Sequence, residues 1–150
     1  MEVVGDVELR LDATSTALDT AWIVTLQDVD TSGAAKDVTA GYLRASLRAV
    51  DEEASRPRAP ALPCRTPAAV PIGDLVSYRL QLVATARRFK AGHRLQLVLM
   101  TDDQDDDAPA VLGFRHASVG TSTLNTVSSS SRLVLPIVPG SATRPDELSS

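Results

Sequence analysis

The chain has 150 residues, 43% of them hydrophobic, 3% aromatic and 23% charged, with a formal net charge of −4 and a sequence pI near 5.1. That length suits one domain that buries roughly 70% of the surface its unfolded chain exposes, and the shortage of aromatic residues leaves the core to Leu, Val and Ala. The acidic balance argues against a general nucleic-acid binder. The lack of an apolar run of about 18 residues and of a signal-peptide pattern points to a soluble, reducing, cytoplasmic setting with no membrane partner.

From Val3 to Thr14, Val7, Leu9, Leu11 and Ala13 alternate with Glu8, Arg10 and Asp12. This is the period of a half-buried strand. The stretch Asp19–Arg48 reads as strand, polar turn and return strand, and it organises the chain. Trp22, Val24 and Leu26 point one way, with Ile23, Thr25 and Gln27 the other. In the return strand Leu43, Ala45 and Leu47 oppose Tyr42, Arg44, Ser46 and Arg48. One dry face and one wet, basic face are expected. Between the strands, Asp28 to Gly33 supplies turn chemistry, because Asp side chains bond the local backbone and Gly accepts positive φ.

Residues 50–74 carry Pro57, Pro60, Pro63, Pro67 and Pro71. They read as a long irregular connection that crosses between sheets or lies against something outside the chain. Alternation resumes from Leu75 to Ala86, with Val76, Tyr78, Leu80, Leu82 and Ala84 on one face. A turn with Gly92 at its tip leads into Arg94–Thr101, whose two apolar faces predict a central strand. Asp102–Asp107 reads as a solvated acidic loop. One bent strand is expected within Ala110–Leu124, with Gly113 and Gly120 at its bends. Thr121–Ser131 is rich in Ser and Thr. Arg132–Val138 reads as a final strand whose Pro136 marks an edge or a bulge. No window shows helical periodicity with caps. The expected fold is all-β, a sandwich of seven or eight strands over residues 1–139, followed by a disordered polar tail over 140–150.

No residue is expected to be catalytic. There is no Gly-x-Ser-x-Gly elbow, and His116-Ala117-Ser118-Val119-Gly120 lacks its first glycine. No cofactor site is expected either. For metals, Asp28 and Asp30 are the candidates, since Asp28, Asp30 and Gly33 are similar to the opening of a calcium loop. The spacing then departs from that pattern and no Glu closes it, so a solvated hairpin turn is the preferred reading. Two histidines and Cys64, far apart in sequence, make no zinc signature. Cys64 reads as a bystander in the Pro-rich loop. Arg44, Arg48, Arg56, Arg58, Arg65, Arg87, Arg88 and Arg94 are expected to pair chiefly with carboxylates at home. Trp22 reads as core rather than as a platform for a sugar.

Four segments in order carry a resemblance: Asp19-Thr20-Ala21-Trp22-Ile23-Val24-x-Leu26-x-Asp28-Val29, Val38-Thr39-x-Gly41-x-Leu43-Arg44-Ala45-Ser46, Phe89-x-x-Gly92-His93-Arg94-Leu95 and Ser131-Arg132-Leu133-Val134-Leu135-Pro136. The series resembles the C-terminal non-catalytic domain of the X-Pro dipeptidyl-peptidase and cocaine esterase family of serine hydrolases, from about Val4 to Pro139. The resemblance implies a jelly-roll β-sandwich of the galactose-binding-like type. It also implies that the Ser-His-Asp triad belongs to an α/β-hydrolase domain, in the same or a separate chain. What carries over is scaffold: Asp19, Trp22, Gly41, Leu43, Arg44, Gly92, His93 and Arg94. The expected role is an accessory domain that packs on and stabilises the catalytic domain of a peptidase or esterase. A carbohydrate-binding module and a self-associating structural sandwich, and hence a homo-oligomer, are the alternatives.

Overall fold

The computed structural model describes residues 1–104, 116 and 118–140. Among them are nine strands and one 3₁₀ turn: β1 (Glu2–Ser15), β2 (Ala21–Val29), β3 (Ala35–Arg44), the turn Ala45–Leu47, β4 (Asp51–Arg56), β5 (Ala59–Ala61), β6 (Val76–Arg88), β7 (Arg94–Met100), β8 (Asn125–Val127) and β9 (Arg132–Val134). The all-β expectation holds. No helix among the described residues is long and apolar enough to cross a membrane.

Seven strands make one antiparallel sheet in the order β7-β2-β3-β6-β1-β8, with β9 also paired to β1. The sheet curls. Leu97 and Leu99 from one end line the same apolar cleft, of about 300 Å³, as Val127 and Leu133 from the other. The join between its halves is narrow. β3 meets β6 in the ladder at Gly41 opposite Leu82, and Thr39 Oγ1 adds a bond to the Val83 carbonyl at 2.5 Å.

Period-two patterning places the core. Val7, Leu9, Leu11 and Ala13 of β1, Trp22, Val24 and Leu26 of β2, Leu43 of β3, and Tyr78, Leu80 and Leu82 of β6 are buried in one cluster. Trp22 packs edge-on against Tyr78 with ring centroids 5.5 Å apart, a favoured aromatic geometry. Trp22 is therefore core, as its position in the pattern predicts.

The structure corrects several expectations. β2 has no wet face: all nine of its residues are buried, and β3 and β7 pair along its two edges. The return strand stops at Arg44, and Ala45–Leu47 turns as 3₁₀. Its first N–H is satisfied by the segment that leads into β2, since Ala45 N donates to the Thr20 carbonyl at 2.9 Å. The Pro-rich connection is not wholly irregular, because β4 and β5 pair as a hairpin. Ala84 is exposed, unlike its register mates Tyr78, Leu80 and Leu82. β7 is terminal in the sheet rather than central, and Leu95 and Leu97 are each 37% exposed. The short β8, which pairs with the end of β1, was not expected. At the close of the chain, Pro136 accepts from Val4 N at 3.0 Å and Ile137 bridges to Val3, consistent with an edge. The bent strand expected within Ala110–Leu124 lies largely outside the described residues, as does nearly all of the expected tail.

Candidate functional site

The polar residues that the sequence singles out gather into buried hubs, each centred on one carboxylate. Two of the hubs bracket β2. At its start Asp19 collects four donors: Thr20 N at 3.0 Å, Arg44 Nε at 2.7 Å, Ser46 N at 2.9 Å and Ser46 Oγ at 2.9 Å. Burial alone would raise the Asp19 pKa, but bonds from Arg44 and Ser46 offset it and hold the carboxyl below its ordinary value. This knot explains why Asp19, Arg44, Ala45 and Ser46 occur together: the strand and its return are tied where they close. Arg48 then extends a guanidinium to the carbonyls of Ala45, Ala68 and Ala69, at 3.1, 2.7 and 3.1 Å. In this way it moors the Pro-rich loop.

At the other end, Asp28 is only 3% exposed. Its Oδ2 accepts from Arg87 Nη2 at 2.6 Å and Nε at 3.1 Å, and its Oδ1 faces His93 Nδ1 at 2.7 Å. An ionised carboxylate can only accept, so His93 Nδ1 carries a proton. Burial works against the charge on Asp28, yet the Arg87 and His93 bonds outweigh it and the pKa is lowered. The turn beyond is closed by Asp30, whose Oδ1 takes Ser32 N, Ser32 Oγ and Ala34 N at 2.8, 2.6 and 3.0 Å. The two candidate metal ligands thus serve different partners. Asp28 turns inward to a guanidinium and an imidazole, whereas Asp30 folds onto its own loop. Among the described residues no group of three or more His, Cys, Asp or Glu side chains converges as a metal site.

A third hub centres on Glu8, whose carboxylate is fully buried. Glu8 accepts from Arg79 Nε at 2.6 Å and from Arg10 at 3.4 Å, while Arg79 reaches Glu52 on β4 at 2.9 Å. Arg58 Nε donates to the Asp6 carbonyl at 3.1 Å, so the small hairpin is clamped over the outer face of β1 and β6. Arg88 pairs with Glu2 at 3.0 Å. Arg44, Arg58, Arg79, Arg87 and Arg88 therefore all bond at home, and Arg56, Arg65 and Arg94 are exposed.

The solvated acidic loop expected over Asp102–Asp107 is corrected at Asp103, which is buried. Asp103, in the acidic run, is 4% exposed. It accepts from His116 N at 2.9 Å and faces His116 Nδ1 at 2.7 Å. Gln104 Nε2 donates to the His116 carbonyl. The His116 ring stacks on Tyr42, centroids 3.9 Å apart and planes within 8°. Ser118, which sequence spacing brings near His116, instead accepts from Gly120 N at 3.2 Å. It lines a polar recess with Thr20, Thr101, Asp102 and residues 119–123, and His116 is not in that lining. The arrangement holds segments together, and no hydrogen bond between a histidine ring and a hydroxyl is seen among the described residues. Trp22, Tyr78 and Phe89 are buried, so none of them presents a ring face to a sugar. Cys64 is exposed, as expected of a loop bystander.

Against known proteins, residues 1–110 match the family described as X-Pro dipeptidyl-peptidase C-terminal non-catalytic domain. Two curated relatives are Putative serine esterase Mb1866c of Mycobacterium bovis and Putative serine esterase MT1883 of Mycobacterium tuberculosis. Each is 33% identical over 109 residues, which is 69% of this chain and 17% of the relative. The chain thus spans less than a fifth of their length. The fold is similar to a solved CocE/NonD family hydrolase, SACOL2612 of Staphylococcus aureus, with a TM-score of 0.74 and 23% identity, covering 91% of this chain and 28% of that one. The residues that form the Asp19 and Asp28 hubs fall inside the matched segment, and the chain belongs to the X-Pro dipeptidyl-peptidase C-terminal non-catalytic domain family.

Proposed function

We propose that this domain packs on the α/β-hydrolase catalytic part of a serine hydrolase, in the same or a separate chain, and stabilises it. The family match over residues 1–110 carries this reading, and the related serine esterases point to ester or amide bonds as the class cleaved. Three carboxylate hubs stiffen a narrow-waisted sheet, which is what a rigid support requires and what a reactive site does not. Stable packing of this kind buries about 800 Å² per partner. Cytoplasmic residence fits the single free thiol, Cys64.

The test is a chimera in which this chain replaces the matching segment of the Mycobacterium tuberculosis relative. Deletion of that segment is expected to shorten the half-life of ester turnover, and the graft to restore it. A graft no better than the deletion refutes the reading. So does ester turnover by the isolated chain that disappears with Ser118→Ala.

A further inference from the structure

Exposed aliphatic side chains gather at one end of the sheet. Leu18, Ile72, Leu75, Leu124 and Val127 are 60, 59, 60, 72 and 47% exposed. All five are anchored to the last residues of β1 and the loop that follows it. Val70 N donates to the Leu18 carbonyl at 2.7 Å, Gly73 N to Ser15 O at 2.9 Å and Thr16 N to Leu124 O at 3.2 Å. Ala13 is the register partner of both Val76, which follows Leu75, and Val127. Beside Leu18, a recess of about 500 Å³ opens among Asp19, Arg44, Ser46, Leu47, Pro67 and Ala69.

We propose that this ridge and recess form the docking surface for the catalytic α/β-hydrolase part, an inference that rests on the function proposed above. Three observations support it. First, the ridge is pre-organised. The loop bearing Ile72 is tied by Arg48 to the Ala68 and Ala69 carbonyls and by Ala68 N to Ser46 O at 2.7 Å, so little ordering entropy is lost on binding. A loop held this firmly with its aliphatic residues turned outward is arranged for burial against another body, since soluble surfaces seldom gather large apolar side chains. Second, the five side chains are aliphatic, and the Asp19–Arg44 pair beside Leu18 is already neutralised within the domain. That leaves Asp74, exposed between Ile72 and Leu75, as the charge at the patch. An apolar centre beside a polar border is the make-up of a protein interface. Third, the part of the outer face of β1 and β6 around Glu8 and Arg79 is already taken up by ion pairs that reach the β4–β5 hairpin. The choice of occupant follows from the relatives. This chain covers 28% of the solved CocE/NonD hydrolase and 17% of the curated esterases, so in these relatives the equivalent domain sits in a much larger polypeptide.

Side-chain footprinting of the grafted esterase against the free 150-residue chain tests the surface. Leu18, Ile72, Leu75, Leu124 and Val127 are expected to label at least threefold more slowly in the graft. Val4 and Val83, which are 52 and 53% exposed and far along β1 and β6 from the ridge, should label at unchanged rates. Leu18→Ser with Leu124→Ser should shorten the thermal half-life of ester turnover about tenfold, whereas Val83→Ser should not. An active, stable graft whose five residues label as in the free chain overturns this surface and leaves the accessory role intact. An unstable graft overturns both. If the five residues are protected in the free chain at high concentration and exposed on dilution, a second copy is the occupant and the assignment fails. Footprinting needs no variant, so a substitution that unfolds the domain does not decide the matter.

Discussion

Gly41→Ala is the sharpest single test of how the sheet is joined. At Gly41, β3 crosses β6 with no room for a side chain. An added Cβ would stand under 3.0 Å from the Gln81 carbonyl oxygen, and 3.1 Å from both the Gln81 carbonyl carbon and the Leu82 Cα. All three are backbone atoms, so no rotamer change relieves them, and the two strands must separate. The strands cannot part freely, because Leu82 and Leu43 beneath the crossing are 0 and 2% exposed and Val24 holds Gly41 from the β2 side. Replacing glycine removes unfolded-state freedom, a gain of about 0.4–1 kcal/mol where the geometry allows it. Overpacking costs about 1–3 kcal/mol, occasionally more. With rigid atoms on every side the upper part of that range applies, and the net loss is about 2 kcal/mol. At roughly 2–4 °C per kcal/mol for a domain of this size, the melting temperature falls by about 4–8 °C.

Fluorescence of Trp22, the single tryptophan and 1% exposed, reports the melt. The control is Gly33→Ala. That position has φ +91° but nothing within 4 Å of the added carbon, so it bears only a backbone penalty of about 1 kcal/mol. If Gly41→Ala melts within 1 °C of the parent, or Gly33→Ala is the worse of the two, the close crossing of β3 and β6 is wrong.

Further outcomes follow from the hubs and the core. Asp28→Asn leaves Arg87 and His93 facing a neutral amide and should lower unfolding free energy in urea by about 2 kcal/mol, less than the roughly 3–5 kcal/mol of a fully buried broken pair because Arg87 is partly solvated; no change would show the pair to be dispensable. Asp19, Asp28 and Asp103 have lowered folded pKa values, so they stabilise the fold fully above the ordinary carboxyl value of about 3.9 and lose that contribution as pH falls through the lower folded values. Stability should therefore be nearly flat from pH 7 to about 5 and decline below about 4; an Asp28→Asn variant with an unchanged acid slope would contradict the assignment to Asp28. Tyr78→Phe removes a buried hydroxyl that, among the described residues, makes no hydrogen bond of good geometry and has the Trp22 indole as its neighbour, so stability should hold or rise by up to about 1 kcal/mol; a loss of about 2 kcal/mol would reveal a working bond to Trp22 Nε1. Calcium added to saturation should leave the melting temperature unchanged, and a rise abolished by Asp30→Ala would restore the calcium reading of that turn.

Strand identity was legible wherever alternation met burial, as in β1 and in β6 up to Leu82. What misled was equating polar with wet. Thr25 and Gln27 look like an outer face, yet both are buried, flanked on the sheet's two sides by β3 and β7. Gln27 accepts from Gln96 at 3.1 Å and donates to Asp37 at 2.7 Å, so its amide is satisfied without water. Strand order is a long-range property, and local pattern does not encode it. The apolar β7 therefore read as central although it ends the sheet. The hubs were half legible. The resemblance picked out Asp19, Arg44 and His93, but Asp28 and Arg87 are 59 residues apart, and only the fold brings them together. Asp103 hid in a run of acids because nothing in DDQDDD distinguishes the one whose partner, His116, arrives from 13 residues on.

The distribution of charge follows one logic. Burying a carboxylate is costly unless it is paired and hydrogen-bonded, and apolar packing alone would hold strands as well or better. Two of the hubs tie the ends of β2, whose register is already set by Trp22, Val24 and Leu26 in the core. A slip would also pull Asp19 from Ser46 and Asp28 from Arg87 at once, so the charges reinforce what the apolar residues specify. The same pairings consume much of the domain's arginine, while aliphatic residues gather at the end of β1 around Leu18, Ile72, Leu75, Leu124 and Val127. A support that must hold its shape and present a dry surface to a larger body is built in this way, with its polar bonds turned inward and its apolar contact turned out.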